Sequence, residues 1–179
     1  YTGGLHAYQK NNGDGTFSEI MNVFPNSDTM HSLATGDMNK DGWVDVYASY
    51  GNTYVNPDYN NEDVLWLNDG GDNNWVAFDL EGIESNMNAV GAKVKIYGDW
   101  GVQVREVRAG ESYGINTTFH CMFGIGESES ITEAIVEWPS GFTTVLDTPY
   151  INVYHNVLEA PCSVADVNIA IDGSLQLCP

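Results

Sequence analysis

Basic side chains are scarce in this sequence. Its 179 residues hold six Lys and Arg against 25 Asp and Glu, a formal charge of −19. A surface that acidic repels phosphate backbones and anionic headgroups, which argues against nucleic acid as a partner. Long apolar runs are missing too. None approaches the roughly 18 residues of a membrane span, so no membrane span is predicted. Cysteine is sparse, three in all, and no Cys-x-x-Cys pair suggests a structural zinc site. The first residue is Tyr1 rather than Met, with no leader-like run behind it, which reads as a processed chain or a fragment. What is present is core material: 42% of residues are apolar and 12% aromatic, too much for a disordered acidic tail.

The cysteines bear on compartment. Cys162 and Cys178 bracket a short tail with 15 residues between them. Pairing them would stabilise the chain by about 3 kcal/mol on the loop-entropy view and imply an oxidising location. Cys121, in the apolar stretch His120-Cys121-Met122-Phe123, is then a buried free thiol.

Short strands and turns recur along the chain. Asn12-Gly13-Asp14-Gly15 is a hairpin-turn signal, because such turns need positive φ. Apolar runs follow at Val44–Tyr50, Val64–Leu67, Val76–Leu80, Ala92–Tyr97, Val102–Val107, Ile131–Trp138, Thr143–Leu146 and Tyr154–Glu159. No stretch keeps a helical period over three turns. The pattern predicts an all-β protein. Residues 51–74 are dense in Asn, Asp and Gly, and four of the six basic residues then fall between Lys93 and Arg108. These shifts place boundaries near Asn74 and Pro161, giving segments 1–73, 74–161 and a tail, 162–179.

The sharpest motif is Asp37-Met38-Asn39-Lys40-Asp41-Gly42-Trp43-Val44-Asp45. Oxygen-bearing side chains stand at loop positions 1, 3, 5 and 9, with Gly at 6. Calcium takes six to eight oxygens, and a loop supplies them by turning alternate side chains inward while Gly42 allows the bend. Asp37, Asn39, Asp41 and Asp45 are the side-chain candidates, and Trp43 offers a backbone carbonyl at position 7. An EF-hand would need Glu at position 12, where this chain has Ala48. Calcium is therefore expected on a strand-flanked loop, ahead of magnesium with its stricter octahedral demands.

Two resemblances follow. Asn11-Asn12-Gly13-Asp14-Gly15-Thr16-Phe17, with Ala34-Thr35-Gly36-Asp37 and the loop above, resembles an FG-GAP/VCBS repeat. This implies a propeller-blade-like unit of an extracellular protein that binds calcium at the loop, with Asn39 in place of the commoner Asp. Further on, Asn74-Trp75-Val76, Ser85-Asn86, Ala89-Val90-Gly91-Ala92-Lys93-Val94, Gln103–Val107, Phe123-Gly124-Ile125-Gly126 and Val136–Gly141 resemble an ASPIC/UnbV-type domain of cartilage acidic protein relatives. That implies an antiparallel β-sandwich or barrel-like domain without enzymatic activity. Gly91, Gly124, Gly126 and Gly141 read as strand ends and turns. Trp138-Pro139 reads as a packed aromatic followed by a strand stop. Arg105 reads as a charge that offsets nearby acids.

Catalytic patterns are not found. His6, His31, His120 and His155 carry no metal spacing, Ser140 lacks a nucleophile elbow, and no phosphate loop precedes a helix. Asp58, Asn60, Glu62 and Asp63 form a weaker cation candidate. Asn116-Thr117-Thr118 is an N-glycan sequon, and Asp28-Thr29-Met30 resembles an O-glycan acceptor of secreted bacterial proteins, so Asn116 and Thr29 are the candidate sites for covalent glycans. One blade-like repeat leaves strand edges open. The reading is a secreted, calcium-binding, non-enzymatic structural protein, a subunit of an extracellular bacterial fibre joined to copies of itself by β-strand addition. The alternative is an adhesion module that recognises a glycan or a protein.

Overall fold

A computed structural model describes residues 7–21, 23–24, 30–51, 61–111 and 114–160. Among them all regular structure is strand and none is helix, so no helix among the described residues is long and apolar enough to cross a membrane. The chain divides into two compact units, Tyr1–Leu33 with Val46–Trp66, and Ala34–Asp45 with Leu67–Pro179.

The first unit opens with a hairpin of β1 (Ala7–Asn11) and β2 (Phe17–Met21), in register from Ala7 opposite Met21 to Asn11 opposite Phe17. Its turn is the one the Asn-Gly-Asp-Gly sequence predicts. Gly13 and Gly15 take φ of 82° and 87°, a region closed to most side chains. Asp14 Oδ1 accepts from the Thr16 N–H at 2.9 Å, and Asn11 Oδ1 accepts from the Gly13 N–H at 2.8 Å. A three-stranded sheet follows in the order β3 (Met30–Gly36), β4 (Asp45–Tyr50), β5 (Val64–Trp66). Trp66 packs against Phe24 and Tyr50, ring centroids 5.0 and 6.0 Å away.

The second unit holds β6 (Asn74–Glu81), β7 (Lys93–Gly98), β8 (Gly101–Glu106), β9 (Cys121–Gly126), β10 (Glu133–Glu137), β11 (Thr143–Asp147) and β12 (Tyr154–Leu158). They form two open sheets, β11-β10-β7-β8 and β12-β6-β9. Every pair is antiparallel except β12 with β6, which is parallel. Alternate residues point inward, as strand geometry requires. Val76, Phe78 and Leu80, Val94 and Ile96, Cys121, Phe123 and Ile125, and Ala134 and Val136 meet in one core shared by both sheets. This is a sandwich. Phe78 sits at its centre, edge-on to Phe123 at 5.9 Å and stacked on His155 at 5.4 Å.

Several sequence expectations can be placed. Cys121 is a buried free thiol, and burial pushes its pKa up to about 12, against the opposing charge of Arg105. Trp138 is buried just beyond β10, its Nε1–H donating to Thr144 Oγ1 at 2.9 Å. Arg105 lies over the Phe123 ring, 5.1 Å from its centre, an aromatic contact where the sequence suggests an offset to acids. Gly124 is not a strand end; it lies inside β9, beside a bulge at Asn74/Trp75. Gly91, Gly126 and Gly141 do take positive φ. Strands β3 and β9 are absent from the sequence-predicted set. Cys162, Cys178 and Thr29 lie outside the described residues.

One buried carboxylate closes the second unit. Glu159, fully buried at the end of β12, accepts from the N–H groups of Ile83 and Ser85, each at 2.7 Å, from Ser85 Oγ at 2.9 Å, and from Ser140 Oγ. It thus gathers the loop after β6 and the turn between β10 and β11 around one anion. Burial alone would raise its pKa, but the hydrogen bonds from Ser140, Ser85 and Ile83 outweigh burial and lower it from 4.5 to about 2. A depressed carboxylate stabilises the fold above its unfolded pKa and loses that contribution as pH falls. The melting temperature should therefore fall as pH drops from 4.5 towards 2. Glu159→Gln, which keeps the shape and loses the anion, should cost about 1–3 kcal/mol near neutral pH and flatten that acid limb. Thermal melts of both proteins across this range check it; an undiminished acid limb in the variant would show that other groups carry it.

Candidate cation-binding loop

Strand β3 runs into the loop and β4 leaves it at Asp45. Two backbone positions make the turn, Lys40 at φ 60° and Gly42 at φ 91°. Gly42 is demanded twice over. Besides its φ, a Cβ there would lie 1.8 Å from Cε2 of Trp75, so the ring of β6 packs directly on the loop backbone. Trp43 in turn lies close against Gly70 and Gly71.

The acids at the two ends of the loop are buried, Asp37 at 7% exposure and Asp45 at 1%. Their oxygens are met by donors. Asp37 Oδ1 accepts from the Asp41 N–H at 3.0 Å. Its Oδ2 accepts from the Gly42 N–H at 2.6 Å and from the Tyr154 hydroxyl at 2.7 Å. Asp45 Oδ2 accepts from the Met38 N–H at 2.7 Å and its Oδ1 from the Asn68 N–H at 2.9 Å. The middle pair lies nearer solvent. Asn39 Oδ1 accepts from the Asp41 N–H at 3.2 Å, while its Nδ2 donates to Asp41 Oδ2 at 2.7 Å; Asp41 Oδ1 accepts from the Trp43 N–H at 2.9 Å.

The loop rests on the outer face of the β12-β6-β9 sheet, the face opposite the core. Tyr154 stands there edge-on to Trp75 and to His120, each 5.5 Å between ring centres. Lys40 Nζ sits over the Tyr154 ring, 5.6 Å from its centre. Burial, the hydrogen bond to Asp37 and the charges of Asp37, Asp41 and Asp79 together push the Tyr154 phenol well above its ordinary pKa.

The sequence spacing thus brings Asp37, Asn39, Asp41 and Asp45 into one loop. Among the described residues, however, no three His, Cys, Asp or Glu side chains converge as a ready metal site. Asp41 is hydrogen-bonded to Asn39 and to the Trp43 amide. The donor set nevertheless fits a hard cation. A carboxyl or carbonyl oxygen has two lone pairs, and each of the four side chains keeps an oxygen that accepts one hydrogen bond rather than two. Three carboxylates and an amide oxygen are calcium-type ligands. Asn39 and Asp41 would have to exchange their mutual hydrogen bond for the ion.

The weaker cation candidate lies only partly within the described residues. Asp63 accepts from the Tyr47 hydroxyl at 2.7 Å and the Tyr50 N–H at 3.3 Å, while Asp58 and Asn60 lie outside the described residues. Asn116 is exposed, its Oδ1 accepting from the Gly110 N–H at 2.8 Å. Sequence reasoning missed Tyr154 and Asn68 as donors to carboxylates, and Glu159 as a buried carboxylate with donors of its own. Only the Trp75 position carried a signal, within the quoted Asn-Trp-Val.

Comparison with known families agrees with the order read from the residues. Residues 2–48 match the family model of the FG-GAP-like repeat, and residues 82–163 match that of ASPIC and UnbV. No curated protein matches the chain. From its amino to its carboxyl end, the chain carries an FG-GAP-like repeat followed by an ASPIC and UnbV domain.

Proposed function

We propose that this chain is a non-enzymatic, calcium-binding structural protein of the extracellular space, a subunit that joins copies of itself into a fibre by β-strand addition. The observation that carries the reading is the β1–β2 hairpin. Among the described residues it forms a two-stranded sheet of its own, and all ten of its strand residues are exposed. Tyr8 and Ile20 pair on one face, while Phe17 and Met21 lie on the other. Both faces thus show apolar side chains to water, Phe17 at 62% exposure. An isolated two-stranded hairpin is marginal in water, so this one gains most by adding to another sheet. The same chain offers an acceptor. β8 is the outer strand of its sheet, and Val102 and Val104 on it are exposed. Hairpin onto β8 of the next copy is a head-to-tail contact, which propagates as a filament unless it closes.

Calcium fits this role as a structural ion. Asp37, Asn39, Asp41 and Asp45, with the Trp43 carbonyl, would hold it. When bound it supplies positive charge to a loop that has three carboxylates and one lysine. Covalent glycans at Asn116 or Thr29 belong to the same proposal, as decoration of an extracellular surface.

Two outcomes are expected. Electron microscopy of the chain in millimolar calcium should show regular fibres that shorten or dissolve in EDTA, and the double variant Phe17→Glu, Ile20→Lys should not polymerise. Dispersed particles in both conditions would favour the adhesion-module alternative. Separately, Asp41→Ala should melt at a lower temperature than wild type in calcium and show no shift on adding EDTA. An EDTA shift as large as that of wild type would remove this loop as the calcium site.

A further inference from the structure

Tyr154 lies 117 positions from Asp37 and within the ASPIC and UnbV match, whereas Asp37 lies within the FG-GAP-like repeat. Its hydroxyl donates to one oxygen of the first loop carboxylate. We infer that Tyr154 is a positioning residue for the loop's cation: it fixes which oxygen of Asp37 faces the ion, so that the FG-GAP-like loop depends on the ASPIC and UnbV domain for its affinity. The inference rests on the calcium reading above.

Asp37 Oδ2 accepts two hydrogen bonds, from Gly42 N–H and Tyr154 O–H, and is saturated. Oδ1 accepts one, from the Asp41 N–H. Oδ1 is thus the Asp37 oxygen left with an open lone pair for a cation. Tyr154 is itself held on its sheet by Trp75 and His120, and Lys40 lies over its ring. The carboxylate is thereby oriented before the ion arrives. Without the hydroxyl, Gly42 still donates, but Asp37 gains a second open oxygen and turns more freely. The lost donor is a neutral dipole, so the gain in charge felt by the ion is small beside the lost orientation, and affinity should fall.

Tyr154→Phe isolates the effect, because the ring that packs on Trp75 and His120 remains. Calcium titrated calorimetrically into the full chain, well below its melting temperature, should bind the variant about tenfold more weakly. A purely structural tyrosine would lower the melting temperature and leave that affinity unchanged. Equal or tighter binding by a folded variant overturns the inference while leaving the calcium reading intact; no binding to wild type overturns both. If the variant does not fold, wild type labelled at the tyrosine ζ-carbon replaces it. One of the ten tyrosine lines should then move in step with calcium saturation, as the acceptor of its hydroxyl is neutralised. If none moves, the inference fails.

Discussion

This chain has to bury acids without bases to pair them. Asp37, Asp45 and Glu159 are all buried, and each is met by N–H and O–H donors rather than by Lys or Arg. Its described Lys and Arg ion pairs are elsewhere, Lys95 with Glu137 and Arg108 with Glu106 and Glu111. A buried carboxylate with no partner would take up a proton. Backbone amides remove that penalty, and in doing so each acid fixes the loop that supplies them. Glu159 holds two loops of the sandwich, Asp45 ties the segment after β5 to the cation loop, and Asp37 pins the loop's own turn. Backbone and hydroxyl donors thus stand where basic side chains are scarce, and each buried acid is tied to particular loop residues.

Much of this was legible in the residues because it is local. Spacing alone places four oxygen side chains in one loop, and Asn-Gly-Asp-Gly specifies the hairpin turn through its positive φ requirement. Strand alternation marks Val76-Phe78-Leu80 and Val94-Ile96 as inward-facing. The misses are non-local or masked by composition. Met30–Gly36 has no clean alternation, since His31, Ser32, Thr35 and Gly36 dilute its apolar positions. Gly124 suggests a break in β9, yet that strand passes the bulge at Asn74/Trp75 and keeps pairing. Gly42 looks like an ordinary turn glycine; its stricter requirement comes from the Trp75 ring, which no local pattern discloses. Tyr154 and Glu159 act on partners 117 and 74 to 76 positions away, so only the fold reveals what they touch.

The two matched segments are also less separate in the fold than along the chain. The loop 34–45 belongs to the same compact unit as the sandwich, and the Thr118 N–H donates to the Thr35 carbonyl at 3.3 Å. Sequence places the loop with the strands around it, because the motif is continuous through β4. The packing of Trp75 on Gly42 and the hydroxyl of Tyr154 on Asp37 instead make the sandwich a template for the loop. In the proposed function, cation binding would therefore bear on the sandwich as well as on the loop.

That coupling bears on how an acidic chain could polymerise at all. A single divalent ion cancels two of nineteen net negative charges, so neutralisation cannot be what brings copies together. At physiological salt, charges further apart than about 8 Å are largely screened, and the repulsion that matters is confined to groups near the contact. The β1–β2 hairpin is favourable in this respect: its ten strand residues contain one lysine and one glutamate, Lys10 and Glu19. The acceptor strand β8 is similarly balanced, with Arg105 beside Glu106. The proposed contact thus joins strands that carry little net charge of their own in a strongly acidic molecule. In the proposed function calcium would act by setting the shape of the unit that carries both the loop and β8, and its removal would weaken the fibre through the fold rather than through charge.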